Sequence, residues 1–266
     1  MKGRVLIVAG SDSGGGAGIQ GDIKTVTALT GYAATAITAL TAQNTLGVFG
    51  IHAVPVEFIA QQMRLVLEDI GADAIKTGML HSAEVINTVA DVIEELGTDI
   101  PLVVDPVMVA KGGASLLDPD AGQALQRRLL PLAEVLTPNI PEAQVLSGME
   151  ILDINDMRHA ANLILSYGPQ AVLIKGGHME GETVTDILVT NDGEEVFTSR
   201  RIDTVHTHGT GCTLASAIAT GLAQRLTLPE AVTRARNYVD QAIRQAPGYG
   251  KGHGPLNHAW TVDDGF

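Results

Sequence analysis

Short apolar runs recur along the chain, and most are followed by a polar turn and then by a segment of helical character. The runs are 5–9, 33–40, 72–75, 102–104, 135–137 and 171–174. Their continuous apolar, β-branched character indicates strands that are buried on both faces, as in parallel sheets. Strands that alternate with helices predict a mainly parallel sheet covered by helices on both faces. We therefore assign the chain to the α/β class.

Helices are predicted between and after these strands. The predicted ranges are 19–29, 56–70, 83–96, 120–130, 141–147, 156–167, 213–226 and 229–246. Two further runs, 186–190 and 195–199, flank Asn191-Asp192-Gly193, which is typical of a hairpin turn. The chain has neither an internal repeat nor a linker, so residues 1–266 are predicted to form a single domain.

Polar signatures follow five of the predicted strands. They are Gly10-Ser11-Asp12, Lys76-Thr77-Gly78, Asp105-Pro106, Thr137-Pro138-Asn139 and Lys175-Gly176-Gly177-His178. Each of them alone is ordinary turn chemistry. In doubly wound folds, however, ligands bind beyond the carboxyl ends of the strands. Five polar signatures on one edge of a sheet therefore predict a shared site.

The most distinctive turn is Gly209-Thr210-Gly211, which precedes a segment rich in Ala and Leu that is predicted to be a helix. The first N–H groups of a helix have no partner inside it, and the helix dipole adds positive potential there. Glycines let a bound group approach this backbone closely. The arrangement suits a phosphate, although an ordinary glycine-rich helix start has the same local sequence.

Cys212 lies in this turn and is the only cysteine of the chain, so no internal disulfide is possible. A lone cysteine is usually a small buried apolar residue. At a helix N-terminus, however, the local field favours the thiolate, which makes Cys212 a candidate base or nucleophile. If the thiol takes the proton of an alcohol acceptor, Cys212→Ala should slow that step more than a step in which an ionised phosphate attacks.

Charge and hydropathy exclude several function classes. The formal net charge of −13 argues against a general nucleic-acid or acidic-membrane binder. No apolar run approaches the roughly 20 residues of a membrane span. The apolar run after Met1-Lys2-Gly3-Arg4 is too short for a signal peptide. We expect a cytoplasmic enzyme in which an anionic substrate meets a local positive site.

Two nucleotide-binding motifs are weak or absent. Gly16-Ala17-Gly18-Ile19-Gln20-Gly21 matches G-x-G-x-x-G. That fingerprint also needs an acidic residue about 20 positions later for the ribose, and no Asp or Glu occurs from Ile23 to Val56. The Walker A pattern is absent as well. Use of ATP would therefore require another architecture.

Seven motifs together carry a resemblance to a known family. They are Gly10-Ser11-Asp12-Ser13-Gly14-Gly15-Gly16-Ala17-Gly18-Ile19-Gln20 with Asp22-Ile23-Lys24-Thr25, Ala39-Leu40-Thr41-Ala42-Gln43-Asn44-Thr45, Lys76-Thr77-Gly78-Met79-Leu80, Val104-Asp105-Pro106-Val107-Met108, Thr137-Pro138-Asn139-Ile140-Pro141-Glu142-Ala143, Lys175-Gly176-Gly177-His178 and His208-Gly209-Thr210-Gly211-Cys212-Thr213. In this order they resemble the hydroxymethylpyrimidine/phosphomethylpyrimidine kinases of thiamine biosynthesis, which belong to the ribokinase-like kinases. The resemblance implies a three-layer α/β/α fold. It also implies transfer of the ATP γ-phosphate to 4-amino-5-hydroxymethyl-2-methylpyrimidine and then to its monophosphate.

The resemblance also implies roles for individual residues. The transferring phosphate would be held by the turn Gly209, Thr210, Gly211 and Cys212, and Lys175 would neutralise its charge. Mg²⁺ would be held through water by Asn139 and Glu142, with Asp105 in support, at a solvent-facing rim. The acceptor would be bound by Gly10, Ala17, Asp22, Gln43, Met79 and Val107. Gln43 offers a donor and an acceptor through one amide, whereas Met79 and Val107 would supply apolar walls.

Each of these residues also has a plain structural interpretation. Lys175 and Asp105 fit strand ends, Glu142 fits the first turn of a helix, and Met79 and Val107 fit a core. Residues 111–115 are a candidate lid. His253 and His258 are a candidate metal pair, with a packed C-terminal segment favoured over it.

Two other functions stay open. One is a pyridoxal/pyridoxine kinase of the same superfamily, whose activity could accompany the first. The other is a nucleotide-binding regulatory protein without catalysis, against which Lys175, Asn139, Glu142 and the turn at 209–212 argue. Dimers are usual in the resembled family, so a homodimer is expected. The remaining partners would be small molecules, with no nucleic acid and no membrane.

Overall fold

The computed structural model describes residues 2–108 and 120–262. The candidate lid at 111–115 lies outside the described residues. The described strands are β1 Arg4–Asp12, β2 Tyr32–Asn44, β3 Gly47–Ala53, β4 Ala74–Thr77, β5 Leu102–Val104, β6 Val135–Leu136, β7 Ala171–Ile174, β8 Thr183–Thr190 and β9 Gly193–Arg200. The described α-helices are α1 Gly18–Ala28, α2 Val56–Leu65, α3 Ala83–Leu96, α4 Ala121–Ala124, α5 Ile140–Ser147, α6 Ile154–Leu165, α7 Thr210–Ala223 and α8 Leu228–Arg244.

Within the described part of the chain, the strands form one nine-stranded sheet in the order β3-β2-β1-β4-β5-β6-β7-β8-β9. Neighbours from β2 to β7 pair in parallel. β3 on one edge and the β8–β9 hairpin on the other pair antiparallel. The prediction of a mainly parallel sheet is confirmed. Because β2 and β4 pair with β1 on its opposite sides, the carboxyl end of β1 borders the crevice expected at a switch point.

Alternate residues of the central strands serve two separate cores. Leu6 and Val8 of β1 pack with α2, α3, α5 and α6 on one face of the sheet. Val5 and Ile7 pack with α1, α7 and α8 on the other face. This alternation follows from the two-residue side-chain period of a strand. It gives the three-layer α/β/α architecture that the resemblance implied.

Three boundaries differ from the sequence-based predictions in an informative way. α7 begins at Thr210 rather than Thr213, so the glycine-spaced turn is itself the first turn of the helix. Two π-helical turns, Val66–Ile70 and Leu125–Leu129, continue α2 and α4. β3 was not predicted, because this strand covers no core and its residues are half-buried or exposed. None of the helices in the two described ranges is long and apolar enough to cross a membrane.

Candidate active site

The start of α7 lies against the glycine-rich loop that follows β1. Gly209 caps the helix in the left-handed region, with φ of 86°. A Cβ at this position would stand 1.9 Å from the carbonyl oxygen of Gly16 and 3.3 Å from the Cα of Ala17. Only glycine satisfies both the dihedral angle and the close approach. The first N–H groups of α7 therefore open beside Ala17, at the edge where β1 ends.

Lys175 and Asp105 form an ion pair in front of this helix start. Lys175 Nζ lies 3.0 Å from Asp105 Oδ1. A Cβ on Gly211 would be 3.2 Å from the same Nζ and 3.7 Å from Asp105 Oδ2. Burial alone would lower the pKa of Lys175, but the carboxylates of Asp105 and Glu142 raise it. A permanent ammonium group and the positive end of a helix thus face the same space.

Asn139 and Glu142 form the N-terminal capping box of α5. The Asn139 side chain accepts from the Glu142 N–H at 2.9 Å, and Glu142 Oε2 accepts from the Asn139 N–H at 2.8 Å. Asn139 also forms an isolated parallel bridge with Lys175, which places the cap beside β7. These two residues therefore have the structural role, at the start of a helix, that the sequence allowed for Glu142. The Glu142 carboxylate also accepts a hydrogen bond from the Met108 backbone, which opposes the rise of its pKa.

Glu142 is buried, not at a solvent-facing rim as expected. Its exposure is 7%. Burial raises the pKa of its carboxyl to about 7, an effect that Lys175 opposes and Asp105 reinforces. Two carboxylates therefore share one ammonium group, and a divalent cation would relieve their repulsion. Among the residues that the structure describes, no group of three or more His, Cys, Asp or Glu is placed to hold a metal ion.

An apolar cluster forms one wall of the candidate site, which we call the apolar wall. Buried Ala39 and Met79 pack with half-buried Val107. A Cβ on Gly10 would be 2.6 Å from Met79 Cε, so glycine there makes room for the methionine. Thr38 Oγ1 donates to the Met79 carbonyl at 2.8 Å and fixes its backbone. The predicted acceptor residues Gly10, Met79 and Val107 are thus adjacent.

Gln43 lies at the end of β2 and is half-buried. Its amide oxygen is 3.2 Å from Thr41 Oγ1, and its amide nitrogen is 3.4 Å from His208 Nε2. Its backbone is held by Ser13 of the glycine-rich loop at 2.8 Å in both directions. One hydrogen-bonding amide therefore lies between that loop and the residue before the α7 turn.

Asp22 takes part in a fully buried ion pair. Lys76 Nζ lies 3.0 and 2.9 Å from its two oxygens, and Ser216 Oγ donates to Oδ1 at 2.7 Å. The side chains of Lys76 and Asp22 are both 0% exposed. Burial alone would lower the pKa of Lys76, but the Asp22 carboxylate raises it. In this structure, Asp22 faces Lys76 and Ser216 behind the apolar wall.

The environment of Cys212 differs from that of an activated thiol. Burial raises its pKa to about 12, although the nearby Lys76 ammonium group acts in the opposite direction. The expected help from the helix field is outweighed, because desolvation disfavours the thiolate. At neutral pH the side chain is a thiol, and what α7 contributes at this position is the N–H group.

The C-terminal histidines pack rather than converge. His258 is buried, its Nε2 lies 2.9 Å from Thr213 Oγ1, and burial lowers its pKa to about 4. His253 Nδ1 contacts the carbonyl oxygen of Val205 at 3.0 Å instead. The packed C-terminal segment, favoured over a metal pair on sequence grounds, is what the structure contains at these two residues.

Sequence reasoning gave no role to Lys76 or Asp12. Both stand in quoted motifs, but neither strand-end position distinguishes a buried charge from an ordinary turn residue. The available signal was chemical. A lysine directly after apolar residues 74–75, and an acid two residues before three consecutive glycines, each need a partner once the strand ends are buried.

A family model described as Phosphomethylpyrimidine kinase matches residues 12–257. The chain belongs to this family. The hydroxymethylpyrimidine/phosphomethylpyrimidine kinase of Streptomyces coelicolor is 49% identical over 260 residues, which cover 98% of this chain and 96% of that kinase. The thiamine biosynthesis bifunctional protein ThiED of Geobacter sulfurreducens is 53% identical over 263 residues, which cover 99% of this chain. The chain spans about half of that relative's length, namely 54%.

The fold of this chain is also similar to that of a solved pyridoxal kinase structure. The ADP complex of Bacillus subtilis pyridoxal kinase has a TM-score of 0.91 and 37% sequence identity, covering 99% of this chain and 100% of that one. The three-layer fold is therefore the ribokinase-like fold that the resemblance implied.

Proposed function

We propose that the protein transfers the γ-phosphate of ATP to the hydroxymethyl oxygen of 4-amino-5-hydroxymethyl-2-methylpyrimidine, and then to the resulting monophosphate. The observation that carries this proposal is the meeting of the α7 start with the Lys175–Asp105 pair, next to the apolar wall of Met79 and Val107, whose Val107 N–H donates to the Asp105 carbonyl at 2.8 Å. Phosphoryl transfer depends mainly on positioning and charge stabilisation. The Lys175 ammonium group and the first N–H groups of α7 serve charge stabilisation, and the apolar side chains serve positioning.

The residues on the phosphate side have different roles in the transfer. In each step an acceptor oxygen attacks the γ-phosphorus, the bond to the bridging oxygen breaks, and ADP leaves with that electron pair. The N–H groups of Gly211 and Cys212 and the ammonium group of Lys175 stabilise the charge on the transferring group. The Gly209 and Thr210 backbone fixes their direction. Burial raises the pKa of the Cys212 thiol to about 12, which disfavours this thiol as the base for the hydroxymethyl proton.

The residues on the acceptor side bind and orient the ring. Gly10 and Ala17 bring backbone close to it, Met79 and Val107 cover its faces, and Gln43 hydrogen-bonds its edge. Asp22 supports this side through Lys76 and Ser216, without solvent exposure. An aminopyrimidine edge, which has an amino donor beside a ring-nitrogen acceptor, is complementary to one amide.

Magnesium is the proposed companion of ATP. Glu142 and Asn139 would hold it through water, and Asp105 would support it from the other side. Bound there, the cation would neutralise phosphate charge during transfer. The donor set fits because the two carboxylates at this site outnumber the ammonium group of Lys175.

The deciding experiment incubates the purified protein with Mg-ATP and each acceptor, and reads the products by mass. The expected result is the pyrimidine monophosphate, followed by the diphosphate. Turnover of pyridoxal without phosphorylation of the pyrimidine would instead favour the second candidate, which the likeness to Bacillus subtilis pyridoxal kinase supports.

We further propose a cytoplasmic homodimer of single-domain subunits. Sedimentation and the number of thermal unfolding transitions test the dimer and the single domain.

A further inference from the structure

The Asp12 carboxylate accepts hydrogen bonds from several backbone N–H groups of the glycine-rich loop. Its Oδ1 accepts from the N–H of Gly14 at 2.7 Å, and its Oδ2 accepts from those of Gly16 at 3.1 Å and Ala17 at 2.9 Å. Asp12 is 3% exposed. A buried carboxylate with three backbone donors fixes the path of the loop that follows β1.

His208 brings the phosphate turn to the same carboxylate. Its Nε2 lies 2.8 Å from Asp12 Oδ2. Its backbone N–H donates to the Gly254 carbonyl at 3.1 Å, so the C-terminal segment holds this residue from behind. Gly209, the N-cap of α7, comes directly after His208 in the chain. Asp12 and His208 therefore connect two loops that are 196 residues apart in sequence.

The proton count settles which atom donates. Burial alone would raise the pKa of Asp12, but its hydrogen bonds with His208, Ala17 and Gly14 lower it below the usual range. An ionised carboxylate only accepts, so the proton of this contact belongs to His208 Nε2. The Gln43 amide nitrogen at 3.4 Å cannot donate to that same atom. The Asp12–His208 contact is thus an Nε2–H···O bond, which both the neutral Nε2–H tautomer and the imidazolium can form.

We infer that Asp12 and His208 are positioning residues that set the distance between the acceptor-binding loop at Gly14–Gly18 and the phosphate turn at Gly209–Cys212. The inference rests on the proposed function, because it assigns acceptor and phosphate to these two loops. Steric contact limits how close the loops come, as the 1.9 Å clash of a Gly209 Cβ with Gly16 shows. The Asp12–His208 bond limits how far apart they move. A displacement of 1 Å between reacting groups can cost about 100-fold in rate.

Two substitutions of His208 form a matched pair. The amide nitrogen of Gln reaches the position of imidazole Nε2, whereas that of Asn reaches only Nδ1. We expect His208→Gln to keep most of the wild-type kcat. We expect His208→Asn and His208→Leu to lower kcat by about tenfold to 100-fold. KM for ATP and for the acceptor should change little, because each loop keeps its own ligand contacts.

A double-mutant cycle tests the pair itself. Asp12→Ala removes both acceptor oxygens, so His208→Leu should have little additional effect on kcat in that background. Independent, multiplying losses would overturn the inference, as would a His208→Leu enzyme with wild-type kcat. Val92→Ala, a buried truncation in α3 far from both loops, is the control for general destabilisation and should leave kcat unchanged.

An activity-independent readout separates this inference from the proposed function. The ¹⁵N–¹H spectrum of the full-length protein with labelled histidine should show His208 with its proton on Nε2, and Asp12→Asn should shift that resonance. An Nε2 without a proton, or an Nε2–H resonance unaffected by Asp12→Asn, would overturn the inference. Failure of the wild-type protein to phosphorylate any acceptor would overturn the proposed function and leave this spectrum as the test of the pair.

Discussion

Two lysine–aspartate pairs lie on either side of the α7 start, and they have the same chemistry in different surroundings. Lys175 and Asp105 follow β7 and β5, and their side chains are 13% and 3% exposed. Lys76 and Asp22 belong to β4 and α1, and both side chains are fully buried. Nitrogen and oxygen are 3.0 Å apart in the first pair and 2.9 Å in the second. The two pairs therefore differ in solvent exposure, whereas their nitrogen–oxygen distances are nearly the same.

We infer from this comparison that solvent exposure determines which lysine can exchange its carboxylate partner for a ligand. Lys175 reaches the space in front of Gly211, so its ammonium group can leave Asp105 for a phosphate oxygen. Lys76 has no such alternative, since each direction around it is filled by protein and its charge is balanced in place. The first pair suits transient charge stabilisation, and the second suits a fixed field beneath the site. Four substitutions test this division, from the largest expected effect to the smallest.

Lys76→Met should cause the largest loss, and the loss should be in stability. It leaves the Asp22 charge buried without a partner, which costs about 3–5 kcal/mol. The expected fall in Tm is about 10 °C, measured by thermal denaturation. Lys76→Met combined with Asp22→Leu should recover part of it, because an apolar pair of similar volume tolerates burial. A single variant as stable as wild type would contradict the assigned burial of an ion pair.

Lys175→Gln should instead reduce activity. Removal of one donor to a transition-state anion costs about 100-fold to 1,000-fold in kcat. Stability should fall as well, since Asp105 is buried and loses its ion-pair partner, but by less than in Lys76→Met because the Gln amide can still donate to Asp105. Steady-state kinetics and thermal denaturation of the same preparation measure both quantities. Lys2→Gln, at an exposed lysine on the opposite edge of the sheet, is the control. Equal kcat values for the two variants would remove Lys175 from the mechanism.

Glu142→Gln should separate magnesium use from stability. Loss of a water-mediated ligand should raise the half-saturating Mg²⁺ concentration about tenfold. In the metal-free protein, the pKa of Glu142 is raised from 4.5 to about 7. The stability that this group contributes is therefore full below pH 4.5 and lost as the pH rises through 7. The variant should be more stable than wild type at pH 8, by about 2–4 °C in Tm, and should lose that advantage at pH 5.

Glu230 provides the matched control for Glu142. It occupies the same capping-box position in α8, where Thr227 hydrogen bonds lower its pKa. Glu230→Gln should therefore gain no stability at pH 8 and should leave the Mg²⁺ titration unchanged. If both variants behave alike, the burial of Glu142 has no consequence for metal binding.

Cys212→Ala should have the smallest effect. It keeps the N–H and removes a thiol that holds its proton at neutral pH, so kcat should change less than the 100-fold to 10,000-fold typical of a lost general base. Both phosphorylations should change equally, which revises the unequal loss expected of a thiol base. Separate measurements of the alcohol and monophosphate steps test this. Gly211→Ala, whose Cβ would be 3.2 Å from Lys175 Nζ, should be markedly slower.

Much of the architecture was predictable from local sequence. The ranges 102–104 and 171–174 were predicted as strands to the residue, and 83–96 as a helix, because continuous buried runs and an amphipathic period leave little choice. β3 was missed because an edge strand that covers no core carries no such pattern. The ordered motifs indicated the family, which the comparisons confirm.

The sequence by itself determined the layered fold, the edge where the site residues gather and the glycine-framed start of α7. These features depend on side-chain period and backbone freedom, both of which are local properties. Only the tertiary structure decided how Lys76 differs from Lys175, why Cys212 keeps its proton, and that Asp12 holds His208. Those outcomes depend on desolvation and on partners far away in the chain. A charge or a thiol has no fixed chemistry until the surrounding elements determine how much water it keeps.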